Sequence, residues 1–400
     1  MDSTAPTTLD ATPTVTVTPE SLLAAFAAVP DPRRAASIDY PLPAILAFSV
    51  AALLCAQTSV LAIAEWGARQ SADLLSSLGF AANRTPCQST LSRLFRRLDA
   101  HALSAALTAA FASAGPPPSP ERGSQAVAID GKAQRGRLQY EEGGSPIHAL
   151  VAFCHDYGVV LASEPIEQGA DKNEAELSVA PALIDRIDWH GRVLTGDALF
   201  CQRSLCQQVL DAGGDYLLTV KANQPHLHAA LQLLFDPGWD VDLCDRREVR
   251  TVDKGHGRAG EMRHLIASTD LEGYVDWPGM TQAFRVERTW WEKGERKRQV
   301  RYGITSLPPS VGSPQRLLAL KRGHWLIENH AHRSKDVNLD EDASLIHADS
   351  GPTVVATLRD AALSLLRSAG CSTIASRLRY HGQFPQDAVA LVTSPLPTHA

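Results

Sequence analysis

The segment Gly115-Pro-Pro-Pro-Ser-Pro120 divides this 400-residue chain into two unlike parts. Its four prolines fix φ and remove backbone donors, so neither a helix nor a central strand can run through it. The chain before it reads as helical, and the chain after it alternates strands and helices. Each part is long enough to bury a core of its own.

Residues 1–18 are rich in Thr and Pro, carry Asp2 and Asp10, and have no basic stretch at their start. They read as a disordered N-terminus and not as a secretory signal. Residues 19–114 read as a helical domain. Ser21 is an N-cap candidate, with Leu22, Leu23, Phe26 and Val29 following at helical spacing. From Tyr40 to Ala64 there is no charge, a length that could span a bilayer. Pro41, Pro43 and the polar Gln57-Thr58-Ser59 argue instead for two buried helices broken near Ala56-Gln57-Thr58. Thr85-Pro86 starts a further helix, with Leu91, Leu94, Phe95 and Leu98 on one face and Arg93, Arg96 and Arg97 flanking it.

Beyond the linker, Ala126–Asp130 is a short apolar run that ends on an acid. His148–Cys154 and Val159–Ala162 form a hairpin across His155-Asp-Tyr-Gly158. Residues 174–187 are helical, Arg192–Thr195 is a strand, Cys201–Ala212 a helix and Tyr216–Val220 a strand ending at Lys221. Strand, hairpin, helix, strand, helix, strand is the order of an α/β ribonuclease-H-like core, in which reactive groups gather at strand ends. That core is expected over residues 121–370. It carries a mostly β insertion at about 222–310, where Phe284–Trp291 and Gln299–Thr305 flank Glu292-Lys-Gly-Glu295. Residues 383–400, with Ser394 and Pro397, read as a disordered tail.

A formal net charge of −6 excludes a bulk polycation, so any nucleic-acid surface must be local. The seven cysteines form no CxxC pair, which argues against a zinc knuckle or disulfide scaffold and fits a reducing, cytoplasmic compartment. Asp130 and Asp197 each follow an apolar strand and each touch a glycine. Either alone is ordinary turn chemistry. Glu328 lies in the dense segment His324-Trp-Leu-Ile-Glu-Asn329 and begins a run to Asp336, Asp340, Glu341 and Asp342, a pattern that also suits a solvated helix face. Together the three carboxylates suit hard Mg²⁺ or Mn²⁺ and, through two such ions, phosphodiester chemistry. Lys132, Arg135 and Arg137 follow the first acid. Lys221 sits beside Asn223 and Gln224. Residues 285–301 hold seven cations against three glutamates, interleaved with Trp290 and Trp291. Cations and stacking rings suit phosphates and unpaired bases, and the same pattern also describes an exposed hairpin with charged edges.

Further stretches follow one another along the chain: Val29-Pro-Asp-Pro-Arg33 with Tyr40-Pro-Leu42; Ile63-Ala-Glu-Trp66; Ala128-Ile-Asp-Gly-Lys132; Lys172-Asn-Glu174; Thr195-Gly-Asp-Ala198 with Gln202; Gly214-Asp-Tyr-Leu-Leu-Thr-Val-Lys221; Gly255-His-Gly-Arg258; the Glu328 segment; Asp336-Val337; and Glu341-Asp342. In this combination the chain resembles bacterial insertion-sequence transposases of the DDE type, in the family that includes the H-repeat-associated proteins. The resemblance implies a ribonuclease-H-like core and carries the metal-binding catalytic triad onto Asp130, Asp197 and Glu328. It also implies Mg²⁺ or Mn²⁺, transposon ends and target DNA as partners, and a helical N-terminal domain that helps bind the ends. A homo-oligomer on DNA and no membrane association are expected with it. DNA contacts are expected at Lys132, Arg135, Lys221, Asn223, Trp290, Trp291, His324 and Lys335, the last seven positions after Glu328. Ala331, Arg333-Ser334 and the spacing of Lys172-Asn173 depart from the family pattern. A domesticated or decayed transposase that binds DNA without cutting it is the alternative.

Overall fold

A computed structural model describes residues 21–81, 84–114, 125–134, 147–166, 172–235, 244–255 and 258–396. The N-terminal 1–18, the proline-rich 115–120, Arg135, Arg137 and His256-Gly257 lie outside the described residues.

The first part is helical: α1 (Leu22–Ala25), α2 (Leu42–Leu54), α3 (Val60–Ala68), α4 (Ala72–Ser77), α5 (Gln88–Arg97) and α6 (Ala100–Ala114). Ser21 caps α1 by accepting from the Ala24 amide. The charge-free α2 is buried on all sides, as an all-apolar helix must be. It stops where Ala56 takes φ 61°, and Ser59 then caps α3. No helix of the described residues is long and apolar enough to cross a membrane. On α5, Leu91, Leu94 and Phe95 face the core and the three arginines face outward. The Val29–Arg33 stretch is held by a local ion pair. Arg33 meets Asp31 at 2.6 Å and donates to the Tyr40 carbonyl at 2.8 Å.

The second part carries β1 (Gln125–Gln134), β2 (Ile147–Cys154), β3 (Val160–Ile166), α7 (Lys172–Asp185), β4 (Arg192–Gly196), α8 (Arg203–Asp211), β5 (Asp215–Val220), α9 (Pro225–Phe235), β6 (Arg247–Gly255), β7 (Arg258–Ser268), β8 (Gln282–Glu292) and β9 (Glu295–Thr305). After these come α10 (Pro314–Gly323), a π-helical turn (Ile327–His332), α11 (Arg333–Leu339), α12 (Gly351–Ser368), α13 (Ile374–Gln383) and α14 (Pro385–Thr393). The nine strands among the described residues form one sheet in the order β3-β2-β1-β4-β5-β9-β8-β7-β6. Pairing is antiparallel for β3-β2 and β2-β1, then parallel for β1-β4 and β4-β5. The strands of the β-rich segment extend the same sheet, with β9 adding antiparallel to β5. The β8–β9 turn places Lys293 at φ 51° and Gly294 at φ 82°, the two-residue geometry that joins twisted strands.

Two expectations need correction. Asp130 does not close its strand: Gly131–Gln134 go on pairing with β2, so β1 runs four residues further. The C-terminal tail is not disordered from 383. Pro385 starts α14, and Ala388, Val389, Val392 and Leu396 are buried. Those apolar residues are sparse in sequence but fall at helical spacing, and they join a core built by α2, α5, α6 and α12. α12 itself is enclosed almost all round, between the N-terminal helices and the sheet.

Candidate functional site

Strand periodicity determines what Asp130 faces. Ala126, Ala128, Asp130 and Lys132 share one face of β1. Ile327 and Ala331 pack on that face against Ala128, Val151, Phe153 and Val160. Glu328 and His332, each the next residue along, are thereby held over Asp130. Residues 328 and 332, four apart within the π-helical turn Ile327–His332, lie on one face of it.

The result is a tight group. His332 Nδ1 lies 3.2 Å from Glu328 Oε2 and 3.7 Å from Asp130 Oδ2. One ligand atom from each of Asp130, Glu328 and His332 falls within 4.8 Å of the others. The Asp130 and Glu328 side chains are 36% and 53% exposed, whereas His332 is 3% exposed, so the group has an open mouth and a closed floor.

Asp197 follows β4. The parallel pairing of β1 with β4 ends at Ala128 and Thr195, so Asp130 and Asp197 flank the crevice where the two strands part. Asp197 is exposed, and its Oδ1 accepts from the Leu199 amide at 2.8 Å. It is outside the tight group, yet its charge is felt there. Burial, then the carboxylates of Glu176, Asp197 and Glu328, push the Asp130 carboxyl up to about 7 against the opposing Gly131 amide. Glu176 was not among the sequence candidates. It lies on α7, 4% exposed, in space that only Gly131 leaves open: a Cβ there would sit 2.1 Å from Glu176 Oε1. Its sequence signal is an acid four residues before Ala180, on the apolar stripe of the helix.

The expected DNA contacts fall into different settings. Lys132 is buried and bound to both oxygens of Asp336 at 2.7 and 2.6 Å, which ties β1 to α11. Lys335 is 2% exposed and pairs with Asp360 at 2.9 Å, with Glu341 Oε1 at 3.8 Å. It is not open to a phosphate. Seven residues are about two turns of an α-helix, and the π-helical turn shifts Lys335 by roughly a quarter turn. His324 is set inward, with Nδ1 at 3.3 Å from Thr195 Oγ1, which also meets His155 Nε2 at 3.1 Å. Burial first, then the Lys321 charge, lowers His324 to about 3. Lys321, also missed, donates to Thr219 Oγ1 at 2.5 Å. Burial and the Arg301 charge lower it to about 8, while Asp197 opposes.

Lys221 is exposed at the end of β5. Asn223 donates to the Ala198 carbonyl at 2.5 Å and Gln224 to that of Cys201 at 3.0 Å, clamping the loop that holds Asp197. On the β8–β9 hairpin Trp291 is 55% exposed, while Trp290 lies under the Arg288 guanidinium at 4.6 Å. Much of the local positive charge is already answered. Arg285 and Arg298 pair with Glu287, Lys297 with Glu295, and Arg288 with Glu261 from β7. Among the described residues, Lys293, Arg296 and Arg301 have no ion pair.

Carboxylates converging where two parallel strands of a mixed sheet part define the class of site, and likeness to known proteins defines the family. The family model described as "Transposase DDE domain" matches residues 121–351, and its companion "DDE_Tnp_1-associated" matches residues 23–110. The chain belongs to the DDE transposase family. "Putative transposase YncI" of Escherichia coli O157:H7 is 27% identical over 361 residues, 87% of each chain. "H repeat-associated putative transposase YhhI" of Escherichia coli K12 is 23% identical, over 87% of this chain and 90% of that one. "Uncharacterized protein in dhlA 3'region" of Xanthobacter autotrophicus is 30% identical over 66% of this chain and 86% of its own. Members of such a family typically use divalent metals, and Asp130, Glu328 and His332 offer a possible site for one.

Proposed function

We propose that this transposase cuts the ends of its own element and joins them to target DNA by metal-dependent phosphoryl transfer, with Asp130, Asp197 and Glu328 as the acidic centre. The observation that carries the reading is the meeting of Asp130 from β1 with Glu328 from the π-helical turn, with Asp197 at the end of neighbouring β4 adding its charge where burial, Glu176 and Glu328 also push Asp130 up to about 7. Acids that oppose one another's ionisation suit a divalent cation, and their oxygens are the donors Mg²⁺ and Mn²⁺ prefer. Bound there, such ions would supply activation of the attacking hydroxyl and neutralisation of the leaving oxygen. The order β3-β2-β1-β4-β5, antiparallel twice and then parallel twice, supports a ribonuclease-H-like core.

The chain's own groups do the positioning. Asn223 and Gln224 brace the Asp197 loop, and exposed Lys221 at the neighbouring strand end meets phosphate. Trp291 and Arg296, opposite each other on the hairpin, offer a stacking face and a cation to unpaired bases. Lys132 and His324 brace the site from within and do not touch DNA. The protein acts in the cytoplasm, as a homo-oligomer on paired ends.

The test is cleavage of an element-end duplex with Mg²⁺ or Mn²⁺. Asp130→Ala and Asp197→Ala are each expected to lower the rate at least about 10²-fold. Unchanged cleavage in either would remove that residue from the centre. Specific end binding by the unaltered chain without cleavage would favour the decayed transposase.

A further inference from the structure

We infer that His332 is a ligand of the divalent ion held by Asp130 and Glu328, making that position a mixed nitrogen–oxygen site that prefers Mn²⁺ to Mg²⁺. The inference deepens the metal-dependent reading above and rests on it.

Geometry carries the argument. An octahedral ion with donors about 2.1 Å away sets neighbouring donors roughly 3 Å apart and opposite ones roughly 4.2 Å apart. His332 Nδ1 stands 3.2 Å from one carboxylate oxygen and 3.7 Å from the other, and the three donors span no more than 4.8 Å. An imidazole that only steadied Glu328 as its i,i+4 neighbour would have no reason to reach Asp130 on another element. The position of the ring fits a ligand too. It is 3% exposed beneath two open carboxylates, so it points upward from the floor of the group. The π-helical turn contributes as well. Such turns are rare, and this one carries both Glu328 and His332 over β1.

The donor set decides the ion. Carboxylates alone suit Mg²⁺, whereas an imidazole shifts a site toward transition ions. Mn²⁺ accepts nitrogen and still keeps an oxygen-rich octahedron.

Pulsed EPR of the full chain loaded with Mn²⁺ alone, without DNA, tests this directly. The unaltered protein is expected to show nitrogen-14 modulation from a directly bound imidazole. His332→Gln should lose that modulation and bind Mn²⁺ about 10- to 100-fold more weakly. His332→Asp should recover Mn²⁺ affinity without the nitrogen signal, and its Mn²⁺-over-Mg²⁺ preference should fall about tenfold. The aspartate variant keeps the test valid if the glutamine variant folds poorly, which thermal melting would reveal. Mn²⁺ bound in an Asp130-dependent way with no nitrogen modulation, or modulation that survives His332→Gln, would overturn the ligand assignment and leave the metal reading standing. Mn²⁺ binding unaltered by Asp130→Asn would instead remove the metal reading, and this inference with it.

Discussion

Asp130 is a carboxyl whose neighbours oppose its charge. Burial and the charges of Glu176, Asp197 and Glu328 raise it from 3.8 to about 7. A folded-state pKa above the unfolded value means that the folded state holds more protons between those two pH values. The Asp130 contribution to stability is therefore intact below about 4 and is lost as pH rises through 7. His155 and His324 run the other way. Burial lowers them to about 4 and about 3, so their contribution is present above 6.5 and lost as pH falls. The Asp130 part is isolated by comparing the unaltered chain with Asp130→Asn in thermal melts. Without metal, the variant should gain stability relative to the parent as pH rises from 4 to 8. With Mn²⁺ above pH 7 the parent should recover, and the variant should respond far less. Parallel melting curves at all pH values would contradict the assignment.

The elements that frame the site are joined by buried charge. Lys132 ties β1 to α11 through Asp336, and Lys335 ties α11 to α12 through Asp360. Arg359 of α12 donates to the Leu339 and Thr58 carbonyls, which extends the linkage to the N-terminal helices. Burial alone would lower the Lys335 pKa, but Asp360 and Glu341 outweigh it and raise it. Removing this lysine leaves two enclosed carboxylates without their cation. Lys335→Met should therefore cost about 3–5 kcal/mol in urea denaturation. A lysine that held phosphate would behave differently. Its loss would reduce the salt slope of DNA binding by about one and leave stability nearly unchanged.

At the scale of the whole molecule, the first and last described segments share a core. Ser21 bridges to Pro395, and α14 packs on α2. Ala388, Val389, Val392 and Leu396 lie in one apolar cluster with α1, α2, α5 and α6. Truncation after residue 384 would expose that cluster. At about 1.5–3 kcal/mol for each large side chain, the loss should reach roughly 5 kcal/mol. The readout is proteolysis of the N-terminal helices, which should become rapid in the truncated chain. A tail without a structural role would leave the digestion pattern unchanged.

Local pattern was enough wherever a local period or a turn decides structure. The break after α2, the apolar face of α5, the β2–β3 hairpin and the β8–β9 turn all fall where the sequence period changes, and Gly158 and Gly294 supply the positive φ of the two turns. The family was legible too, because its motifs are contiguous. What sequence could not supply was anything that depends on two distant segments meeting. β1 extends past Asp130 because β2 continues to pair with it, and the tail is ordered because α2 needs covering. Glu176 enters the site because Gly131 has no side chain. Lys335 turned from a phosphate contact into a buried ion pair because the helix after Glu328 departs from α geometry for one turn. The same turn places His332 over Asp130. A seven-residue spacing specifies direction only when the helix type is known, and here one turn of it is π-helical.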